Sequence, residues 1–295
     1  MVKIQDIQIR DPFILRDGEF LYLFGSTDKD IWGADAVGFD VYVSKGDLGS
    51  FEGPFPAFRP PAGFWATRNF WASEVHIWHG VFYMFATFKP NEGRRGTAIL
   101  RSTNPLGPFQ PWSAGPVTPR DWECLDGTLF IDRGKPWMVF CHEWQQVGDG
   151  EMCLMPLSPD LRWASAAPRL LFHASDAPWT RPLHGRDSGN YVTDGPFVYT
   201  AKNGDLLLLW SSFNEAGQYS IGVSTSESGN ITGPWRHQAE PLYAADGGHG
   251  MVFHTVDGKL YLAIHTPNKT PHERPIFIEL SEQDGVLSVT NNIIA

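Results

Sequence analysis

Apolar residues along the chain gather in short runs between turn formers, and no segment sustains a 3.6-residue apolar period. One unit recurs, a glycine turn followed by an apolar strand. It reads Gly18-Glu19-Phe20-Leu21-Tyr22-Leu23-Phe24, then Gly80-Val81-Phe82-Tyr83-Met84-Phe85, and returns after Gly134, Gly204 and Gly258. Those five glycines stand 62, 54, 70 and 54 residues apart, a mean of 60, and five such units nearly exhaust the 295 residues. A shorter apolar run precedes each glycine, which marks a β-hairpin. A third run follows at 41–44, 98–102, 152–155, 219–224 and 275–278, and Gly-Pro-aromatic turns at 53–55, 107–109 and 233–235 lead into a fourth. Four antiparallel strands repeated radially predict an all-β, five-bladed β-propeller, one domain over 1–295, with 286–290 as the outer strand of the last blade. A β-sandwich would share the short strands but not the 60-residue period.

Composition narrows the function. The net charge is −10, from 23 basic and 33 acidic side chains, which disfavours nucleic acid and membrane surfaces as partners. No apolar stretch approaches the ~18 residues of a membrane span. The first ten residues lack the basic-then-apolar form of a secretory leader, so a cytoplasmic location is expected. Cys124, Cys141 and Cys153 fit no zinc spacing and no disulfide framework. H-E-x-x-H, phosphate-loop and G-x-S-x-G patterns do not occur. Nothing in the sequence sets an oligomeric state.

The first strand of each unit should line the central channel, so the residues that open it should ring one mouth. They include Asp11, Glu74, Asp126, Asp194 and His249. An Asp in Asp-Pro or Asp-Gly is usually a turn former and nothing more. Four acids around one axis are different, because clustered carboxylates repel and lift one another's pKa. General acid and base work on a glycosidic bond uses that arrangement: one carboxylate activates water and a protonated partner serves the leaving oxygen. Trp71, Phe70, Trp32 and Trp144 lie near the strand ends and are candidate walls for a sugar.

Arg10-Asp11-Pro12, Trp71-Ala72-Ser73-Glu74-Val75, Asp126-Gly127, Asp194-Gly195-Pro196-Phe197 and Gly248-His249-Gly250-Met251 occur in order and resemble the blade-start motifs of glycoside hydrolase family 43. The resemblance implies an inverting glycosidase acting on arabinose- or xylose-containing plant saccharides, with α-L-arabinofuranosidase activity, exo-acting, as the expectation. It implies Asp11 as general base and Asp126 as the residue that tunes and orients the acid. The family's acid is usually a Glu in Glu-Gly-Pro; Asp194 stands there, with Glu215 in reserve. Substrate contacts are expected from Trp71, Glu74, His142, Trp144, His249 and Arg274, the last resembling a last-blade arginine that meets a sugar hydroxyl. Glu143, beside His142, ends the second strand of blade three at the same mouth. His249 resembles a histidine that faces a central water or structural calcium in some members; no cofactor is required.

Three rivals stand beside this reading: a β-xylosidase or other glycosidase on the same fold, a catalytically impaired glycan-binding propeller, and an invertase-like fructosidase. The last would place Asp-Pro-Asn first and Arg-Asp-Pro in a middle blade, whereas here Arg-Asp-Pro comes first and no Asp-Pro-Asn exists.

Overall fold

Each of the five predicted hairpins forms around its glycine, and each of those glycines adopts positive φ, between 59° and 91°, which a residue without Cβ takes at little cost. The computed structural model describes residues 1–183, 185 and 188–295. Blade one comprises β1 (Val2–Lys3), β2 (Arg10–Asp17), β3 (Phe20–Ser26), β4 (Phe39–Ser44) and β5 (Ser50–Phe58), with β1 paired to the outer edge of β5. Blade two comprises β6 (Arg68–Trp78), β7 (Val81–Lys89), β8 (Gly96–Ser102) and β9 (Gln110–Pro111). Blade three comprises β10 (Cys124–Asp132), β11 (Lys135–His142), β12 (Glu151–Pro156) and β13 (Arg169–His173). Blade four comprises β14 (Asp194–Thr200), β15 (Leu206–Phe213), β16 (Tyr219–Ser226) and β17 (Trp235–His237). Blade five comprises β18 (Gly248–His254), β19 (Leu260–Thr266), β20 (Arg274–Gln283) and β21 (Val286–Ile294). The protein is a five-bladed β-propeller, and β21 is the expected outer strand, four residues longer than predicted. Among the described residues no helix is long and apolar enough to cross a membrane.

The core lies between blades, because each sheet is covered on both faces by its neighbours. That is why the middle strands read as unbroken apolar runs rather than alternating ones. Val139, Met152 and Leu154 of blade three pack with Leu206, Leu208 and Trp210 of blade four. Phe39, Phe58, Phe70 and Phe88 join blades one and two, the Phe70 and Phe88 rings meeting edge to face at 4.8 Å. Phe70 is therefore core and not a wall of the site.

Among the described residues no strand is shared between the first and last blades. The ring closes through packing and specific bonds: Asp11 N–H to His265 Nδ1 at 3.1 Å, Arg16 to the Thr255 carbonyl at 3.0 Å, and Arg274 Nε to the Gln5 carbonyl at 3.0 Å.

Candidate active site

All five innermost strands carry a β-bulge at the same place. Pairing skips from Arg10 to Phe13, Trp71 to Glu74, Leu125 to Thr128, Asp194 to Phe197 and Gly248 to Met251. The first bulged residue is left-handed in each blade: Asp11 (φ 55°), Ala72 (48°), Asp126 (57°), Gly195 (51°) and His249 (50°). Four of these are not glycine, and an L-residue held there costs roughly 1–2 kcal/mol. Such strain is kept where it aims a side chain usefully.

The bulges sort the predicted ring into tiers. Asp11, Asp126 and His249 share one register, with Ala72 and Gly195 completing it. Asp194 sits one residue earlier, level with Arg10, Trp71 and Leu125. Glu74 falls level with Phe13, deeper in the channel, where its Oε2 lies 3.1 Å from His76 Nε2. Glu74 is thus not a member of the mouth, because Ala72 holds blade two's place.

Each bulge is pinned by its neighbour. Residues 26, 87, 141, 211 and 265 hold one register on the second strands. Ser26 Oγ accepts the Ala72 N–H at 2.8 Å, Thr87 Oγ1 that of Asp126 at 2.9 Å, Ser211 Oγ that of His249 at 2.8 Å, and His265 Nδ1 that of Asp11. In blade three the position is Cys141, a weak acceptor. There the Gly195 N–H goes to Asp126 Oδ2 instead, at 3.1 Å.

Together these strands enclose a cavity of about 490 Å³ lined by Asp11, Asp126, Asp194, Glu143, His249 and Arg10, with Trp32, Trp71 and Trp144 among its walls. Asp11 lies at its base. Its Oδ2 accepts from Ser26 Oγ at 2.6 Å, and its Oδ1 is 3.2 Å from His249 Nδ1. Burial alone would raise the Asp11 pKa, but the charge and hydrogen bond of His249, then Arg10, hold it well below the usual carboxylate range. His249 also lies 3.7 Å from Asp126 Oδ2; burial opposes its charge, yet Asp11 and Asp126 lift it to about 10. Desolvation and Arg10 push His265 down to about 3, which suits Nδ1 as the acceptor for Asp11.

The other carboxyls go the opposite way. Burial, with the charges of Asp194 and Asp11 outweighing the relief from His249, raises Asp126 to about 7. Asp194 also rises to about 7, by burial and then the Glu143 charge, although Tyr219 donates its hydroxyl to Oδ2 at 3.1 Å. Burial lifts Glu143 to about 7 despite Arg95, whose NH2 donates to Glu143 Oε2 at 2.9 Å.

Two expected contacts, His142 and Arg274, and the reserve acid Glu215 lie elsewhere. Successive residues point to opposite sides of a strand. Glu143 faces the cavity, so His142 turns away to Glu151 (2.7 Å) and Gln146 (3.1 Å) and stacks on Trp122 at 4.2 Å. Arg274 donates to the carbonyls of Gln5, Pro271 and Glu273, so it is a closure residue and not a sugar contact. Glu215, on the turn after β15, pairs with Arg181 beside a second hollow of about 370 Å³, away from Asp11. The two hollows share Leu183 and Phe213. Sequence reasoning missed Arg10, Arg95 and Tyr219. Arg10 was in view beside Asp11, and no spacing rule marks the other two.

The residues around His249 do not fit a calcium ion. Calcium takes six to eight oxygen ligands. The imidazole turns its Nδ1 to Asp11 and Asp126, and its Nε2 is buried without a partner. The tier beneath offers Phe13, Thr128, Phe197 and Met251, with Glu74 turned to His76.

A propeller whose mouth gathers carboxyls of opposed proton affinity between aromatic walls is the architecture of a glycoside hydrolase. The model for glycosyl hydrolases family 43 matches residues 4–284, and the chain belongs to that family. Its fold matches the endo-arabinase from Bacteroides thetaiotaomicron VPI-5482 at TM-score 0.89 and 39% identity, covering 97% of this chain and 98% of that one. A thermostable family-43 glycoside hydrolase matches at TM-score 0.82 and 26% identity, covering 98% and 94%. The α-L-arabinofuranosidase from Lactobacillus brevis, at 18% identity and TM-score 0.77 over 99% and 98%, shares the fold. No curated protein matches the chain.

Proposed function

We propose that the protein hydrolyses α-L-arabinofuranosidic bonds, with inversion at the anomeric carbon. The carrying observation is the split in proton affinity within one cavity: Asp11 is driven down while Asp126 and Asp194 are driven up. Asp11, ionised and fixed by Ser26 and His249, takes a proton from water as it attacks the anomeric carbon. Asp194, at the mouth, gives its proton to the leaving oxygen. Asp126 lies beside it and accepts the Gly195 N–H, while burial and the Glu143 charge keep that proton on Asp194. Aspartate reaches less far than glutamate by about one C–C bond, ~1.5 Å. Its place one residue nearer the mouth than Asp11 and Asp126 offsets this. Trp32, Trp71 and Trp144 supply faces for sugar C–H groups.

Release of single terminal arabinose is the first reading. Internal cleavage of an arabinan chain is the second, favoured by the 39% identity to an endo-arabinase and by the second hollow continuing past Leu183 and Phe213. Digestion of linear arabinan decides: arabinose alone supports the first, a ladder of oligosaccharides the second. On 4-nitrophenyl α-L-arabinofuranoside, NMR should show the β-anomer first. Asp11→Asn should lower kcat by at least ~10²-fold, the range of general-base catalysis. Retention of configuration, or full activity of that variant, would refute the mechanism.

A further inference from the structure

Arg10 is only 9% exposed and lines the cavity level with Asp194 and Trp71. Its guanidinium carbon lies 5.3 Å from the centroid of the Trp32 ring. Among the described residues its side chain donates no hydrogen bond to protein. Its charge acts on Asp11 beside it, yet its donors are unspent, whereas buried charged groups are ordinarily hydrogen-bonded as well. A second buried arginine, Arg95, follows the rule: it also lies over a tryptophan, Trp71 at 5.0 Å, but its donors go to Glu123 (3.0 Å), Glu143 (2.9 Å) and Gln145 (3.1 Å). Arg10 has the aromatic contact without the acceptors.

The platform beneath it is fixed. Trp32 Nε1 donates to Thr270 Oγ1 at 3.0 Å, and Asn69 Nδ2 donates to the Trp32 carbonyl at 3.3 Å. The guanidinium therefore sits against a held ring on the cavity wall. A ligand carboxylate is a poor match, since it would meet Asp11, Asp126, Asp194 and Glu143 across the same space. Neutral oxygens avoid that repulsion, and a planar fork of N–H groups suits two oxygens at once.

We propose that Arg10 grips paired hydroxyls of the sugar whose bond is cleaved. It takes the place that the sequence pattern offered to Arg274, which is spent on ring closure. The inference rests on the glycosidase reading and deepens it. The test is steady-state kinetics of wild type, Arg10→Met and Arg10→Lys on 4-nitrophenyl α-L-arabinofuranoside and its 2-, 3- and 5-deoxy analogues. Arg10→Met should lower kcat/KM roughly 10- to 150-fold, the worth of hydrogen bonds to a charged group. Arg10→Lys should recover only part. At least one deoxy penalty present in wild type should vanish in Arg10→Met, which a merely structural role would not produce.

Deoxy penalties unchanged in Arg10→Met, or both variants within twofold of wild type, would overturn the proposal and leave the glycosidase intact. Wild type inactive on every aryl glycoside and on linear arabinan would overturn both. Should Arg10→Met fail to fold by circular dichroism, a crystal of Asp194→Asn with arabinotriose decides. Arg10 nitrogens within about 3.2 Å of two hydroxyls of one ring support the proposal, and a guanidinium bonded elsewhere rejects it.

Discussion

Three carboxyls in one hollow behave differently because each meets different neighbours. Asp11 has an imidazolium and an arginine beside it and stays ionised across the working range. Asp126 is buried and Asp194 half-buried, and they repel each other, so they titrate as a pair near 7. With Asp194 as the acid, kcat/KM should fall as pH rises through about 7, and Asp11 should contribute no acid limb above pH 4. Glu143 helps hold the Asp194 pKa up. Glu143→Gln should therefore move the alkaline limb to lower pH while activity persists on acid-side plateaus. Complete loss at every pH would instead make Glu143 the proton donor. Gly195 is equally specific: a Cβ there would lie 2.6 Å from His249 Cγ, at φ +51°. Only glycine leaves room for the imidazole that holds Asp11.

The bulge is the element that turns a strand into a catalytic device. It spends one residue of register to aim a side chain at the axis, and its freed N–H must find an acceptor on the preceding blade. Thr87→Val keeps the shape and removes the acceptor for Asp126 N–H. Leaving that buried group unpaired should cost about 1–3 kcal/mol, visible as a lower midpoint in urea, and should reduce kcat by disturbing Asp126. A wild-type midpoint with wild-type kcat would show that the bond does not position the bulge. The acceptors were visible in the sequence without being recognisable. Their register position stands seven residues after the hairpin glycine in four blades and eight in the first, and Cys141 fills it in blade three without accepting. Serine, threonine, cysteine and histidine do not look like one position until pairing aligns them.

Across the whole molecule, closure and chemistry meet in blade five. Arg274 ties that blade to the N-terminal segment, so Arg274→Met should lower Tm while leaving kcat/KM within about twofold, measured below the transition. A large rise in KM would restore it as a sugar contact. His249 links the ring's stability to pH. Its folded pKa, about 10, stands above the unfolded value of 6.5. Its contribution is complete below about 6.5 and is lost as pH rises through about 10. Tm should decline from pH 7 to 10, and His249→Asn should flatten that decline; an equal slope in both proteins would remove His249 as its cause.

The five-fold period, the hairpins and the acids that open the inner strands were legible along the chain, because hydrophobic alternation and turn chemistry are local properties and the repeat copies them five times. The order of the motifs was enough to expect family 43. What folding alone decided is which of the acids meet. A bulge of one residue removed Glu74 from the mouth and set Asp194 a step ahead of Asp126. Just past the end of β11 the extended backbone turned Glu143 inward and left His142 facing away, and three carbonyls claimed Arg274. Each outcome depends on register and on a partner from another blade, and a linear pattern carries neither, because side chains are placed by neighbours that lie tens to hundreds of residues away.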